Sequence, residues 1–153
     1  MARIKLELPS TIHFSTSIPV RVTDLNYGGH LGNDSLLSLL HEARVRLLAS
    51  HGYTEKNIEG VAIIMNDAAI VYKSEAFYND ILHFHISVID FHRFGCDLFY
   101  RVTRDTQIGN TESRTVEVAR AKTGIVFYDY EQKKLVDVPE KFREHFHPSS
   151  DLT

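Results

Sequence analysis

Between Ile12 and Val22 the chain is β-rich, with Phe14, Ile18, Val20 and Val22 carrying much of the apolar content. The next stretch, Asp24-Leu25-Asn26-Tyr27-Gly28-Gly29-His30-Leu31-Gly32-Asn33-Asp34, is dense in turn formers. After it the apolar spacing becomes helical. Leu36, Leu37, Leu39, Leu40, Ala43, Leu47 and Leu48 predict a helix from about Asp34 to His51, capped by Asn33 or Asp34 and stopped by Gly52. Those positions cover well over half the circumference, so the helix is expected to be enclosed rather than laid on a surface. Ser38, Glu42 and Arg46 share one side at i, i+4 spacing, with Glu42 ahead of Arg46, the favourable charge order.

Past the turn Asn57-Ile58-Glu59-Gly60 the pattern is that of strands. Val61 to Tyr72 is rich in β-branched residues, and Ile81 to Asp90 alternates Leu82, Phe84, Ile86 and Val88 against His83, His85 and Ser87. Cys96 to Arg104 alternates again, and Gln107-Ile108-Gly109-Asn110 turns the chain into Arg114 to Tyr130. Short connections make these last strands antiparallel neighbours. Pro139 to Phe146 has room for a short final helix.

One strand, one long buried helix and four further strands predict an α+β domain whose sheet wraps the helix. Residues 1–153 read as a single domain, with a core at about 12–130 and a tail at 131–153. The far face and the edges of the sheet are expected to be uncovered, which makes pairing with a second copy the natural remedy.

Composition narrows the classes. A 43% apolar and 24% charged chain is ordinary for a globular domain, and a formal charge of -3 argues against a nucleic-acid binder. Cys96 is the single cysteine, which forbids an intrachain disulfide and suits a reducing compartment. The segment Met1 to Pro9 resembles neither a signal peptide nor a membrane span, so a soluble, cytoplasmic protein with no membrane partner is expected. His83 and His85 stand two apart on one strand face, a possible metal-ligand spacing. No convincing third ligand accompanies them, so no metal is expected and they read as a solvent or interface face. His145 and His147 read as an exposed tail. Phe77, Tyr78, Phe91, Phe94, Phe99 and Tyr100 read as core or interface.

The order of elements, with a glycine-rich turn entering the helix, resembles the hotdog fold. The turn itself is similar to the signature of the 4-hydroxybenzoyl-CoA thioesterase-like family. Members carry Arg-x-x-Asp-x-Asp-x-x-Gly-His-Val-Asn-Asn, then Glu-Ala-Arg in the helix. Here the frame reads Arg21, Asp24, Asn26, Gly29, His30, Leu31, Gly32 and Asn33, then Glu42-Ala43-Arg44, with Tyr78-Asn79-Asp80 where the family has Tyr-Gly-Asp. The resemblance spans roughly residues 12 to 130. It implies an antiparallel sheet of about five strands around one long central helix, and a homodimer or homotetramer with clefts at the subunit interface. It also implies hydrolysis of acyl-CoA thioesters to free acid and CoA, with no cofactor beyond the CoA of the substrate. One position departs from it: the family's usual catalytic carboxylate is the second Asp of the motif, and Asn26 stands there. Asparagine is neither a nucleophile nor a general base at neutral pH.

Thioester hydrolysis needs a stabilised oxyanion and an activated water. Backbone N–H groups around Leu31 to Asp34, at the positive end of the helix, can supply the first; the resemblance implies the Asn33 N–H lies near that place. Gly29 and its neighbouring glycines allow close approach of the thioester. One such donor is worth about 3 kcal/mol in the transition state. For the second, Asn26 and His30 are expected to position and deprotonate water, with a carboxylate among Asp24, Asp34 and Glu42 completing the set. Asp24 to Asn33 can equally be a structural turn and cap, and Glu42 an ion pair with Arg46. Arg93, Arg101, Arg104, Arg120 and Lys122 are candidates for the CoA phosphates, although strand alternation puts several in solvent. Two alternatives stay open. Asp24-Leu25-Asn26 with His30 is a distorted echo of the Asp-x-Asn-Pro-x-His motif of enoyl-CoA hydratases and dehydratases on the same fold. Asn26 also suits a non-catalytic acyl-CoA or acyl-carrier binding module.

Overall fold

The computed structural model describes residues 2–147. Strand β1 (Phe14–Pro19) leads through a short 3₁₀ turn (Val22–Asp24) and a loop to helix α1 (Asn33–Ser50). Strands β2 (Ala62–Tyr72), β3 (Ile81–Ile89), β4 (Gly95–Ile108), β5 (Glu112–Asp129) and β6 (Lys134–Leu135) follow, and helix α2 (Glu140–Phe146) closes the order. All pairings are antiparallel, in the order β1-β3-β4-β5-β2, with β6 added to β5. This is the expected α+β hotdog arrangement. The β4–β5 hairpin is longer than its apolar alternation suggests. Pairing runs out to Ile108↔Glu112, beyond the last buried side chains, because ladder bonds do not require burial.

The inner face of the sheet is one apolar surface. Leu82, Phe84, Ile86 and Val88 of β3, Leu98, Tyr100 and Val102 of β4, and Ala119, Ala121, Ile125 and Phe127 of β5 are all buried. Helix α1 lies against it through Leu36, Leu39, Leu40, Ala43, Leu47 and Leu48. This corrects the expectation of an enclosed helix. The buried set is a single i, i+3, i+4, i+7 stripe, while Leu37 and Val45 are 39% and 38% exposed. The residue before the helix is Gly32, and neither Asn33 nor Asp34 caps it with a side chain. At the other end Gly52 acts as predicted. With φ +78 it lets its own N–H reach the Ala49 carbonyl at 2.9 Å and the Tyr53 N–H reach Leu48 at 2.9 Å, a Schellman closure.

The stripe contains one charge. Arg44 is 6% exposed, and its Nε donates to Glu55 Oε2 at 3.2 Å. His41 holds the other oxygen of Glu55, and beside them the Tyr100 and Thr123 hydroxyls bond each other at 2.9 Å in the core. Burial opposes the charge on Glu55, but His41 and Arg44 outweigh it and hold the carboxyl below its ordinary range.

The far face of the sheet is not bare, contrary to expectation. The segment 2–12 crosses it: the Thr11 carbonyl accepts from Ser87 Oγ on β3, and the Leu6 carbonyl accepts from Arg120 Nη1 on β5 at 3.2 Å. Leu8 and Pro9 line a hollow with Phe99, and residues 2–7 line another with Ile70 and Val71 of β2. The C-terminal region packs on the core as far as it is described, although His145 and His147 themselves stay exposed, as expected. Phe142 and Phe146 of α2 are buried, and Phe142 packs edge-on against Phe127 with centroids 5.1 Å apart. His145 lies 4.3 Å from His51, ring to ring, and its Nε2 is 3.0 Å from the Tyr53 hydroxyl. His83 and His85 point outward, each bonded through Nδ1 to a β1 hydroxyl, Ser17 and Ser15 respectively, at 2.8 Å. Among the described residues no helix is long and apolar enough to cross a membrane.

Two predictions follow from these contacts. Glu55→Gln leaves the Arg44 guanidinium buried without its counter-charge. It lowers the unfolding free energy by about 2 kcal/mol, read as a lower urea midpoint at unchanged m-value, and less than for a fully buried pair because Glu55 is 30% exposed. His13 and His51 both titrate below the ordinary 6.5; burial is the larger cause, and His147 and His145 respectively add to it. Such groups bind fewer protons folded than unfolded. Their contribution to stability is complete above about 6.5 and is lost as pH falls through the depressed folded values. Urea titrations at about pH 7.5 and 5.5 will show that loss, and the pair His13→Phe and His51→Phe will flatten it.

Candidate active site

The loop from Asp24 to Gly32 is built on one side chain. Asn26 Oδ1 accepts the Gly28 N–H at 2.9 Å and the His30 N–H at 3.2 Å, while the Asn26 N–H donates to the His30 carbonyl at 2.8 Å. Gly29, at φ +78, makes the reversal, and its N–H returns to the Asn26 carbonyl at 3.1 Å. The loop is then tied to both neighbours. Leu31 N–H donates to the Ala76 carbonyl at 2.8 Å, and Gly32 N–H to the Asp24 carbonyl at 2.9 Å. Those two donors are therefore spent, which narrows the expected set of free helix N–H groups. The Asn33, Asp34 and Ser35 N–H groups have no acceptor among the described residues, because the first intrahelical bond runs from Leu36 N–H to the Gly32 carbonyl.

A cleft of about 290 Å³ opens at this helix end. Leu36, Ala76 and Val118 give it an apolar floor; Asn26, His30, Asn33, Tyr72, Lys73 and Glu75 form its polar wall. The Tyr72 hydroxyl donates to the Asn33 carbonyl at 2.9 Å, fixing the end of β2 to the start of α1. His30 packs edge-on to Phe77, and its Nε2 lies 3.5 Å from Glu75 Oε2. The two side chains keep 38% and 65% exposure, so the pair is wet in the single chain.

Of the expected site residues, the fold gathers Asn26, His30 and Asn33 with the Gly29 turn. It sends the three expected carboxylates elsewhere. Asp24 is 4% exposed and accepts the Arg21 N–H at 2.8 Å and its guanidinium at 3.2 Å. Burial works against its charge, but Arg21 outweighs it and holds the carboxyl below its ordinary range. Glu42 faces a separate groove with Arg21, Ser38 and His41, and accepts Arg46 Nε at 3.0 Å. Asp34 is exposed on the first turn of α1, outside the cleft lining. The carboxylate the cleft does contain, Glu75, lies far along the chain from the motif. The antiparallel bridge His30↔Phe77 that brings it over is a tertiary contact with no local signal.

The cations expected at the CoA phosphates lie outside the cleft. Arg93 pairs with Asp137 at 2.9 Å, Arg101 with Glu117 at 3.0 Å and Arg120 with Glu117 at 2.8 Å. Lys122 pairs with Asp67 at 2.7 Å, and Arg104 lies over the Phe77 ring, 3.7 Å from Asp80. Cys96 is buried, and burial pushes its thiol far above the ordinary range, which makes it a packing residue rather than a nucleophile.

Fold and cleft together define a hotdog α+β domain with a glycine-rich loop presenting a helix N-terminus. Residues 20–146 match the family model of the thioesterase-like superfamily, and the chain belongs to that superfamily. The sequence matches no curated protein. Solved structures similar to it include a hypothetical protein from Aquifex aeolicus, 21% identical with a TM-score of 0.74, covering 87% of this chain and 98% of that one. A 1,4-dihydroxy-2-naphthoyl-CoA thioesterase from Synechocystis is 19% identical with a TM-score of 0.73, covering 90% and 97%. A DHNA-CoA thioesterase from Staphylococcus aureus is 15% identical with a TM-score of 0.73, covering 90% and 91%.

The loop geometry predicts how position 26 responds to change. Asn26→Leu strips two N–H groups of their acceptor and lowers stability by about 1 kcal/mol, with faster amide exchange at Gly28 and His30. Asn26→Asp retains an acceptor there and keeps stability within about 0.5 kcal/mol. Denaturant titration and hydrogen exchange separate the two.

Proposed function

We propose that this protein hydrolyses acyl-CoA thioesters, water adding to the carbonyl and the products being a carboxylic acid and CoA thiol. The observation that carries the reading is the unsatisfied Asn33 N–H at the cleft, beside a histidine that touches a carboxylate. The thioester carbonyl docks on the Asn33 N–H at the positive end of α1, where negative charge on oxygen is stabilised as the tetrahedral intermediate forms. With Nε2 turned toward Glu75 Oε2, 3.5 Å away, the proton is drawn to Nε2 and Nδ1 is left as the base. Nδ1 and Asn26 Oδ1 both lie over Gly28, which has no side chain to screen them: a Cβ built there would stand 3.5 Å from Nδ1 and 3.3 Å from Oδ1. A water held between Nδ1 and the docked thioester gives its proton to Nδ1 and its oxygen to the carbonyl carbon. The imidazolium then returns the proton to the departing sulfur as the C–S bond breaks. Asn26 acts by holding the loop, and its Nδ2, which has no acceptor among the described residues, donates to the water or the substrate.

The acyl group is open; the naphthoyl-CoA substrates named for the Synechocystis protein make aromatic acyl groups the first to try. We also propose a cytoplasmic homo-oligomer. Strand β2 is the sheet's edge beyond β5, and Met65 and Ala68 along it are exposed, an edge that a second copy can extend. The hydratase reading finds no support in the family match, which is to thioesterases.

Thiol release from short, medium, long and aromatic acyl-CoAs, followed with a thiol-trapping dye, tests the proposal. Turnover is expected on at least one, with kcat reduced about 100-fold or more by His30→Ala and about tenfold by Glu75→Gln. Binding of acyl-CoA with no thiol release across the panel would replace this reading with that of a binding module, to which Asn26 in place of the family's aspartate is suited.

A further inference from the structure

A second groove of about 870 Å³ adjoins the cleft. Its walls are the crossing segment, through Arg3, Lys5 and Glu7, and the end of β2, through Tyr72 and Lys73, with Arg120 of β5 at its base. Tyr72 and Lys73 line both hollows, so the groove begins where the cleft ends. The lining carries four cations, Arg3, Lys5, Lys73 and Arg120, against one carboxylate, Glu7. In a chain whose net charge is -3 this is a local reversal of sign.

Three of these cations differ from four others of the domain. Arg93, Arg101, Arg104 and Lys122 stand within ion-pair distance of Asp137, Glu117, Asp80 and Asp67. Arg3, Lys5 and Lys73 enter no ion pair among the described residues, although Glu7 shares the groove with them. Arg120, by contrast, is held by Glu117 at 2.8 Å and by the Leu6 carbonyl at 3.2 Å, and so fixes the crossing segment in place. Unpaired ammonium and guanidinium groups lining a groove favour a ligand with several phosphate oxygens.

We infer that this groove holds the phosphates of the nucleotide end of the CoA thioester, with Arg3 and Lys5 of the crossing segment and Lys73 of the β2 end as the binding cations. The inference rests on the proposed thioesterase reading and deepens it. The acyl end lies in the cleft at Asn33, and the pantetheine arm passes Tyr72, whose ring is 49% exposed.

The test compares an acyl-CoA with the same acyl group on pantetheine, which carries no phosphate, using the full chain. Wild type is expected to have a much lower KM for the acyl-CoA, a difference that shrinks with added salt, and to be inhibited competitively by adenosine 3′,5′-bisphosphate. In the double variant Arg3→Ala, Lys5→Ala the KM for acyl-CoA rises on the order of tenfold and the KM ratio of the two substrates collapses towards one. Lys73→Gln moves the ratio the same way, whereas Lys56→Ala, remote from the groove, leaves it unchanged. A wild-type ratio near one, an unchanged ratio in both groove variants, or an effect confined to acyl-carrier-protein substrates overturns the inference while leaving the hydrolase reading intact. Absence of turnover on both thioesters overturns that reading instead. The bisphosphate, whose binding can be followed by calorimetry without turnover, then decides the groove: binding lost in Arg3→Ala, Lys5→Ala supports it, and no binding to wild type overturns it.

Discussion

The site depends on where helix α1 sits against its sheet. Its stripe from Leu36 to Leu48 has one apolar surface to bury against, and the Arg44–Glu55 pair allows little sliding, because displacement would strand a guanidinium among Leu40, Tyr100 and Leu47. The Schellman turn at Gly52 fixes the far end. With the helix so placed, its first turn has to emerge beside Ala76 and Val118, and the unsatisfied N–H groups there are a consequence of helix geometry rather than of any specialised residue. The burial that stabilises the domain also aims its most polar backbone end at the cleft.

The loop then decides how much of that polarity is available. A helix start normally recruits a side-chain cap, and Asn33 and Asp34 are both residue types that cap well. Here neither does, because the chain arrives through Gly32, whose N–H is drawn back to the Asp24 carbonyl while Asp24 itself is held by Arg21. A cap at this end would satisfy the donors on which the proposed chemistry relies. Stability is given up at the helix terminus and recovered in the loop, where Asn26 Oδ1 satisfies two N–H groups and Tyr72 ties Asn33 to the sheet.

Much of this was legible in the sequence where the signal was periodic or local. Strand alternation located β3 and the buried half of β4, the leucine spacing located α1, and the glycine-rich run located the loop. The leucine count overstates how far α1 is enclosed, because Leu37 lies off the stripe and stays exposed in the single chain. The carboxylates lie away from the cleft for a different reason. Asp24 and Glu42 are near in sequence, but one turns inward to Arg21 and the other lies on the opposite flank of the helix with Arg46. Glu75 is distant in sequence and adjacent in space, through the bridge between His30 and Phe77. The crossing of the sheet by residues 2–12 left no pattern either, because that segment is anchored by its carbonyls, which every residue possesses.

Asn26 brings these strands of argument together. The loop asks position 26 for an acceptor of two N–H groups, and aspartate and asparagine both meet that request. A catalytic carboxylate asks for something more, a second oxygen carrying charge, and asparagine offers a donor in its place. The substitution therefore conserves architecture while removing a charge from beside His30. Removing it also removes a negative neighbour from the spot where an oxyanion would form, so the helix N–H groups face less competing charge. The remaining acid–base capacity is then concentrated in His30 and Glu75, both exposed in the single chain. A second copy seated along the β2 edge would be the natural means of drying that pair, and drying is what strengthens a histidine–carboxylate contact. On this argument the chemistry at Asn26 and the assembly at β2 are one question, since a wet His30–Glu75 pair is weak and a shielded one can replace the charge that position 26 lacks.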